Sequence, residues 1–272
     1  MIGAIFGDIA GSRFEFCNID RYDFDLYNVR DSYPTDDSVC TLAVADYILN
    51  GGDVADKFRS WCLKYPDDLA GYGGRFRRWL HTPNAQPYNS YGNGAVMRVS
   101  PVAWAGKDEK EVQDLAEKVT IVSHNHPEGM RGARAISTAI WRLRHPEVYG
   151  EKNEIVDNIL TEFYPDATYD WFTCQRGVFD ETSQGTAVIS LFLFNESESF
   201  EDAVRRAVSF GGDSDTLGAV VGSLAEAYYG VTEKHRQFVK DVLNNVGYAN
   251  YWSMIEAFEN RYGNKIRSNG VG

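Results

Sequence analysis

Cysteine is scarce in this chain, which has four in 272 residues: Cys17, Cys40, Cys62 and Cys174. No two of them form a C-x-x-C pair, so a disulfide scaffold and a zinc ribbon are both excluded. A chain of this length can bury a large core without such cross-links. We therefore expect free thiols in a reducing compartment, which favours a cytoplasmic protein.

Long hydrophobic runs are also missing. No window approaches the roughly 20 apolar residues that a membrane-spanning helix needs. The segment from Met1 to Gly11 is apolar and rich in glycine, but Asp8 interrupts it and no basic segment precedes it. That is not the pattern of a secretory signal. We expect neither a membrane partner nor export.

Basic residues are fewer than acidic residues. The chain has 27 Lys and Arg against 39 Asp and Glu, a formal net charge of −12. An acidic surface repels phosphate backbones at long range, so nucleic acid is not expected as a general partner. An anionic small molecule would need local help from arginine, backbone N–H groups or bound metal.

Apolar residues at helical spacing are abundant, whereas alternation with a period of two is rare. This pattern predicts an all-α fold, a single compact multi-helix domain covering residues 1–272. The segment 22–29 is left open as a short strand or an extended loop. The stretches with helical spacing are 39–48, 112–122, 133–143, 187–194, 203–210, 217–229, 238–246 and 251–258.

Glycines recur every four residues in two apolar segments, at Gly3, Gly7 and Gly11 and again at Gly218 and Gly222. Glycine inside a helix costs about 1 kcal/mol relative to alanine. A stripe of glycines on one helix face allows another backbone to approach closely. We expect these two helices to pack tightly against each other, which would bring the segments after Gly11 and before Leu217 close together.

Two acidic clusters precede amphipathic helices: T-D-D-S at residues 35–38 and G-G-D-S-D-T at residues 211–216. Either cluster alone is typical of a helix N-cap, because Thr and Asp cap helices and acids complement the helix dipole. Neither helix needs two aspartates and a threonine for capping, however. If the clusters converge, each pair of like charges about 4 Å apart costs roughly 4 kcal/mol at an effective dielectric of 20.

Cations would relieve this repulsion. The available donors are carboxylate and hydroxyl oxygens, which favour Mg²⁺, Mn²⁺ or Ca²⁺ over zinc or copper. Four aspartates and two threonines suit two ions better than one. Glu15, which follows the first glycine-rich helix, could face the same site, although an exposed surface glutamate is the alternative.

Three further segments are candidates for substrate binding. The glycine-rich loop from Asn89 to Arg98 lacks the lysine of a P-loop, but its N–H groups could bind a diphosphate. The S-H-N-H-P segment at residues 123–127 suggests a hydrogen-bonding histidine rather than a zinc site, because no cysteine lies nearby. The segment 71–79 mixes aromatic residues with arginine; it contacts either a substrate or the core.

Taken in order, these motifs resemble the ADP-ribosylglycohydrolase family over nearly the whole chain. The resemblance rests on G-D-I-A-G-S-R-F-E, T-D-D-S, the Tyr-Gly-Gly segment, S-Y-G-N-G-A-V-M-R, S-H-N-H and G-G-D-S-D-T. Two positions depart from the family pattern: Ser38 stands where threonine is frequent, and Ser209 stands where asparagine is frequent. Neither change removes a candidate ligand, but both weaken any transfer of substrate preference.

The resemblance implies an all-α hydrolase with two Mg²⁺ ions, or Mn²⁺, acting on an ADP-ribosylated protein or small molecule. Asp215 would bridge the ions, and Glu15, Asp36 and Asp215 would carry catalysis. Tyr91 would lie near adenine and His124 near a phosphate or ribose. The implied metal ligands are Thr35, Asp36, Asp37, Asp213, Asp215 and Thr216. The implied substrate-binding residues are Ser90, Tyr91, Gly92, Asn93, Gly94, Met97 and His124.

The expected reaction is hydrolysis at the anomeric carbon of the distal ribose, which releases ADP-ribose. Two alternatives remain open at this stage. An oxygen-only acidic cluster also suits a two-metal nucleotide phosphoesterase, and the chain could be a non-catalytic relative that binds ADP-ribose.

Overall fold

The structure, a computed structural model, describes residues 1–263, and in this part of the chain it contains helices and no β-strand. The all-α prediction is therefore confirmed. Two short 3-10 helices, Ser12–Phe14 and Asn93–Ala95, lie beside the site described below. The α-helices are α1 (Ile2–Gly11), α2 (Asp36–Asn50), α3 (Val54–Cys62), α4 (Asp67–Ala70), α5 (Gly74–His81), α6 (Ser100–Ala105), α7 (Glu109–Thr120), α8 (Pro127–Leu143), α9 (Pro146–Tyr149), α10 (Lys152–Phe163), α11 (Tyr169–Thr173), α12 (Ser183–Asn195), α13 (Phe200–Phe210), α14 (Ser214–Tyr229), α15 (Glu233–Asn245) and α16 (Ala249–Tyr262).

Capping side chains explain why several helices begin earlier than the apolar spacing indicates. Asp108, Thr182 and Ser199 each accept a hydrogen bond from a backbone N–H in the first turn of α7, α12 and α13, respectively. Such caps satisfy N–H groups that have no partner within the helix. The segment 22–29, left open between strand and loop, is a loop.

The pairing of α1 with α14 is the closest helix contact in the fold and follows from the two glycine stripes. A Cβ atom placed on Gly7 would lie 1.8 Å from the carbonyl oxygen of Gly218, and one placed on Gly3 would lie 2.2 Å from that of Gly222. No residue other than glycine fits such spacing without moving a helix. The expected close packing of these two segments is confirmed.

Helix α1 occupies the centre of the molecule, because all ten of its residues are buried. Helix α14 packs on α1 and also contacts α8, α12 and α13, while α2 contacts both α1 and α14. Buried side chains from Met1 to Phe258 form one hydrophobic cluster around these elements. Within residues 1–263, no helix combines the length and the hydropathy needed to cross a bilayer.

Candidate active site

The close contact between α1 and α14 brings three acidic segments together at one end of the helix pair. Asp8 lies in α1, and a Cβ atom on Gly11 would lie only 2.3 Å from the carbonyl oxygen of Ser214 at the start of α14. Gly211 and Gly212 have φ angles of +79° and +80°, a region that glycine enters without steric strain. This backbone turns Asp213 and Asp215 toward the first turn of α2.

The carboxylates form two overlapping groups. Oxygen atoms of Asp8, Asp37 and Asp215 lie within 4.8 Å of one another, and so do oxygen atoms of Glu15, Asp213 and Asp215. Asp215 belongs to both groups, which is the position that a bridging ligand would occupy. The clustering of residues distant in sequence follows from helix packing and matches the convergence expected from the two motifs.

The cluster is buried, and burial disfavours the charged form of a carboxyl group. It raises the pKa of Asp8 to about 6 and that of Glu15 to about 8, with the neighbouring carboxylates adding to the shift of Glu15. The pKa values of Asp36, Asp37 and Asp215 are also raised well above the usual range, by burial first and by nearby negative charges second. Without a cation, the fold holds protons at this site.

The donor set fits a hard divalent cation. The Oδ1 atoms of Asp37 and Asp215 are buried and have no hydrogen-bond partner within residues 1–263. A buried carboxylate oxygen without a partner is costly, and a cation is the partner that an anionic oxygen accepts most readily. Carboxylates and threonine hydroxyls supply oxygen donors, which hard divalent cations prefer.

Asp8 is a member of this site that the sequence motifs did not identify. It is fully buried, and its carboxylate accepts hydrogen bonds from the backbone N–H of Thr35 (3.0 Å) and of Ser38 (3.0 Å). It also accepts from both hydroxyl groups, with Thr35 Oγ1 at 2.7 Å from Asp8 Oδ1. It stands in the G-D-I-A-G-S-R-F-E motif, but the motif by itself assigned it no role.

Thr35, Asp37 and Thr216 are tied to one another beneath the site surface. Thr35 caps α2, and its side chain accepts from the N–H of Asp37. Thr216 Oγ1 donates to Asp37 Oδ2 over 3.1 Å. Thr35 and Asp37 are both only 2% exposed, whereas Asp36 in the next position of the same turn is partly exposed and lines the cavity described next.

A cavity of about 600 Å³ opens over the carboxylates. This volume suits a ligand of nucleotide size. The structure brings most of the predicted site residues to its wall. Those that line it are Glu15, Asp36, Ser90, Tyr91, Gly92, Asn93, Gly94, Met97, His124, Asp213, Asp215 and Thr216.

The loop 90–94 is held at the cavity by contacts on both sides. The N–H of Asn93 donates to the carbonyl oxygen of Glu181 (2.7 Å), and Ser183 Oγ donates to that of Gly92 (2.6 Å). The side-chain amide of Asn93 donates to Asp213 Oδ2 over 2.6 Å, which joins the loop to the acidic cluster. Tyr91 is 46% exposed, and its ring packs against that of His126 at 5.1 Å between centroids, which leaves the rest of the ring open to a planar group.

The cavity is also lined by residues that the sequence motifs did not identify as part of a site. Arg75, from the segment 71–79, lines it, whereas Tyr72 and Trp79 of the same segment are buried in the core, so the segment contributes to both. Val178, Phe179 and Glu181 line the opposite side. They lie in a connection between α11 and α12 with no recognisable motif, so only the folded structure could reveal their position.

Comparisons with known proteins decide the family. The family profile described as ADP-ribosylglycohydrolase matches residues 1–266. The chain belongs to the ADP-ribosylglycohydrolase family. This confirms the resemblance drawn from the ordered motifs, and membership supports an ADP-ribosyl hydrolase activity.

The chain is similar to several curated members of this family. It is 27% identical over 212 residues to an ADP-ribosyl-dinitrogen reductase glycohydrolase of Rhodospirillum rubrum, covering 73% of this chain and 70% of that protein. It is 24% identical over 263 residues to an ADP-ribosylhydrolase of Mus musculus, covering 74% and 70%. A solved chain of an ADP-ribosylglycohydrolase-related protein complex has the same fold, with a TM-score of 0.66 at 21% identity over 91% of this chain and 95% of that one.

Proposed function

We propose that this ADP-ribosylglycohydrolase hydrolyses the bond between the distal ribose of ADP-ribose and its acceptor, a protein side chain or a small molecule. The observation that carries the proposal is the overlap of two carboxylate groups at Asp215, on the floor of a cavity large enough for a nucleotide. We infer two Mg²⁺ ions, or Mn²⁺, held by Thr35, Asp36, Asp37, Asp213, Asp215 and Thr216, with Asp8 behind them.

The chemistry that two such ions supply when bound is neutralisation of the carboxylates and orientation of ligand oxygens. The protein's own residues bind and orient the ligand. Backbone N–H groups and Asn93 in the loop 90–94 hold and orient the ADP-ribose, and the exposed face of Tyr91 stacks on its adenine. Arg75 offsets charge on the diphosphate.

Glu15 is the candidate general base. Its carboxylate lies beside Asp213 and Asp215, where bound cations would favour the ionised form that a general base must have. It would take a proton from the attacking water at the anomeric carbon. The surrounding carboxylates stabilise the positive charge that develops on the ribose ring in the transition state.

The test is a panel of substrates that carry ADP-ribose on different acceptors, incubated with Mg²⁺ or Mn²⁺ and scored for released ADP-ribose. We expect at least one substrate to be cleaved, and Asp215→Ala to lose at least about a thousandfold in rate while remaining folded. Asp114→Ala, which changes an exposed aspartate of α7, is the matched control and should retain full activity.

Two outcomes would contradict the proposed function and favour a different one. Release of phosphate or of a shortened nucleotide would indicate a two-metal phosphoesterase. Binding of ADP-ribose without cleavage of any substrate would indicate a non-catalytic relative. Full activity of Asp215→Ala with Mg²⁺ would contradict the assignment of the metal site.

A further inference from the structure

Arg98 is completely buried, yet within residues 1–263 it forms no ion pair with a carboxylate. Its guanidinium packs over the ring of Phe58 at 4.4 Å. Its Nη2 atom, which carries two hydrogens, lies 2.9 Å from Ser123 Oγ, 3.3 Å from the carbonyl oxygen of Val119 and 3.4 Å from Nδ1 of His124. Burying a charge without a counter-charge costs free energy. The polar contacts of Arg98 must therefore offset part of that cost.

These contacts determine which nitrogen of His124 carries the proton. A guanidinium group only donates hydrogen bonds. Ser123 Oγ accepts from Arg98, which leaves its own hydrogen free, and Nδ1 of His124 lies 2.8 Å from it. Within residues 1–263 the Ser123 hydroxyl hydrogen has no other acceptor, and the guanidinium of Arg98 can only donate, so both contacts favour an Nδ1 that presents its lone pair. A neutral His124 then carries its hydrogen on Nε2.

The environment also keeps the imidazole neutral. Burial lowers the pKa of His124 well below its ordinary value, and the positive charges of Arg98 and Arg75 lower it further. Tyr88 also flanks the ring, at 5.9 Å between centroids, and burial raises the pKa of its phenol to about 12, so it remains uncharged. Among residues 1–263, the charged groups that act on His124 are Arg98 and Arg75, and no carboxylate favours the imidazolium form.

The opposite edge of the ring faces the cavity. A Cβ atom on Gly94 would lie 2.9 Å from Nε2, and one on Gly92 would lie 3.7 Å from it, so this nitrogen lies directly under the glycine-rich loop. His124 lines the cavity, and within the described residues no side chain or carbonyl group accepts a hydrogen bond from Nε2. The unpaired nitrogen is therefore available to a ligand.

We propose that Arg98 and Ser123 are positioning residues that hold His124 in the neutral tautomer with its hydrogen on Nε2, so that it donates to a phosphate or ribose oxygen of ADP-ribose. The tautomer is a property of the free protein, whereas the identity of the ligand rests on the proposed function above. The ligand would then be held by a neutral donor whose strength does not change between about pH 6 and pH 8.

The first experiment is nuclear magnetic resonance of the ligand-free protein labelled with ¹⁵N in histidine. Long-range proton–nitrogen correlations distinguish a protonated from an unprotonated ring nitrogen, and comparison with His124→Gln assigns the signals. We expect His124 to show an unprotonated Nδ1 and a protonated Nε2 throughout this pH range. Ser123→Ala and Arg98→Met should give a mixture of tautomers, and Arg98→Lys, which retains a charged donor, should restore most of the Nε2 form.

A protonated Nδ1 in the wild-type protein would overturn the proposal, and so would a tautomer ratio unchanged by Ser123→Ala. That variant removes a single oxygen atom from a buried position, so it tests the proposal even if Arg98→Met fails to fold.

The second experiment is calorimetry with ADP-ribose in the presence of Mg²⁺. Ser123→Ala should weaken binding about tenfold, roughly the effect of one lost hydrogen bond to a charged ligand. In the background of His124→Gln, whose amide donates without help from Ser123, the same change should have little effect. An equal loss in both backgrounds would indicate a merely structural role and would overturn the proposal. If the wild-type protein did not bind ADP-ribose, the proposed function would fail, while the spectra alone would still decide the tautomer.

Discussion

The acids at the cavity floor differ in how far neighbouring groups offset their charge. Asp8 accepts hydrogen bonds from Thr35 and Ser38, whereas Asp213 accepts one from the amide of Asn93. Asp37 and Asp215 each retain a buried oxygen with no partner in the described residues. The acids with unpaired oxygens are therefore the natural first ligands of a cation, while Asp8 organises the start of α2 behind them.

Asp8→Asn tests this organising role. The amide keeps one acceptor oxygen but turns an NH₂ group toward groups that themselves donate to Asp8, so two or more hydrogen bonds are lost. We expect the free energy of unfolding of the metal-free protein to fall by about 1–3 kcal/mol, measured by urea denaturation. Mg²⁺ affinity should fall as well, because Thr35 and Asp37 lose their fixed positions.

The control is Asp157→Asn, the same change at an exposed position of α10. It should leave the free energy of unfolding and the Mg²⁺ affinity unaltered. If Asp8→Asn behaved like this control, Asp8 would have no organising function.

The acidic motifs at residues 35–38 and 211–216 could be identified from sequence because each is local and placed at a helix start. Asp8 belongs to the G-D-I-A-G-S-R-F-E motif, but its role could not be predicted, because only the fold shows that Thr35 and Ser38 surround it. Arg98 was unrecognised for a similar reason: its side chain is interpretable only through Ser123 and His124, which are distant in sequence.

At the scale of elements, the site depends on the separation of α1 and α14. These helices carry Asp8 and Asp215, and glycine at the contact sets the distance between them. The glycine spacing was visible in the sequence and predicted the contact correctly. Helices α3 (Val54–Cys62) and α10 (Lys152–Phe163) were missed, although their buried residues also recur at helical spacing.

Gly7→Ala should separate the two helices. The added methyl group would overlap the carbonyl oxygen of Gly218, and backbone on both sides leaves nothing flexible to move aside. Overpacking of this kind typically costs about 1–3 kcal/mol, and we expect a loss at the upper end, seen as a lower denaturation midpoint. Activity should fall further than stability alone explains, because the carboxylate groups around Asp215 would be drawn apart.

Gly74→Ala is the matched control, since a Cβ atom there meets no atom within 4 Å and the residue begins α5. It should be neutral or stabilising by up to about 1 kcal/mol. A Gly7→Ala protein as stable as this control would show that the glycine stripe does not set the helix spacing.

For the molecule as a whole, the net charge of −12 and the buried acidic cluster act in the same direction. Both disfavour anionic ligands, so the proposed binding of ADP-ribose would depend on local groups such as the loop 90–94, Arg75 and His124. They also make the folded state sensitive to pH in the absence of cations. Metal ions and protons compete for the same carboxylates. The stability of the fold should therefore depend on pH and on metal concentration together.

The metal-free protein should lose stability as pH rises from about 6.5 to 8.5. In the unfolded chain the site carboxyl groups titrate near pH 4, but in the fold the pKa of Glu15 is raised to about 8 and those of Asp36, Asp37 and Asp215 are also raised. The folded state therefore binds more protons than the unfolded state, and stability falls with increasing pH. Thermal unfolding in the presence of a chelator measures this slope, which should be shallower in Asp215→Asn.

Mg²⁺ should reverse the trend, because a bound cation favours the ionised carboxylates. The increase in melting temperature on adding Mg²⁺ is expected to be larger at about pH 8.5 than at about pH 6.5. Calorimetry in two buffers of different ionisation enthalpy should show release of roughly one proton or more per chain at neutral pH. Equal stabilisation at both pH values together with no proton release would mean that the carboxylates around Asp215 are already ionised without metal, and that burial does not hold protons at this site.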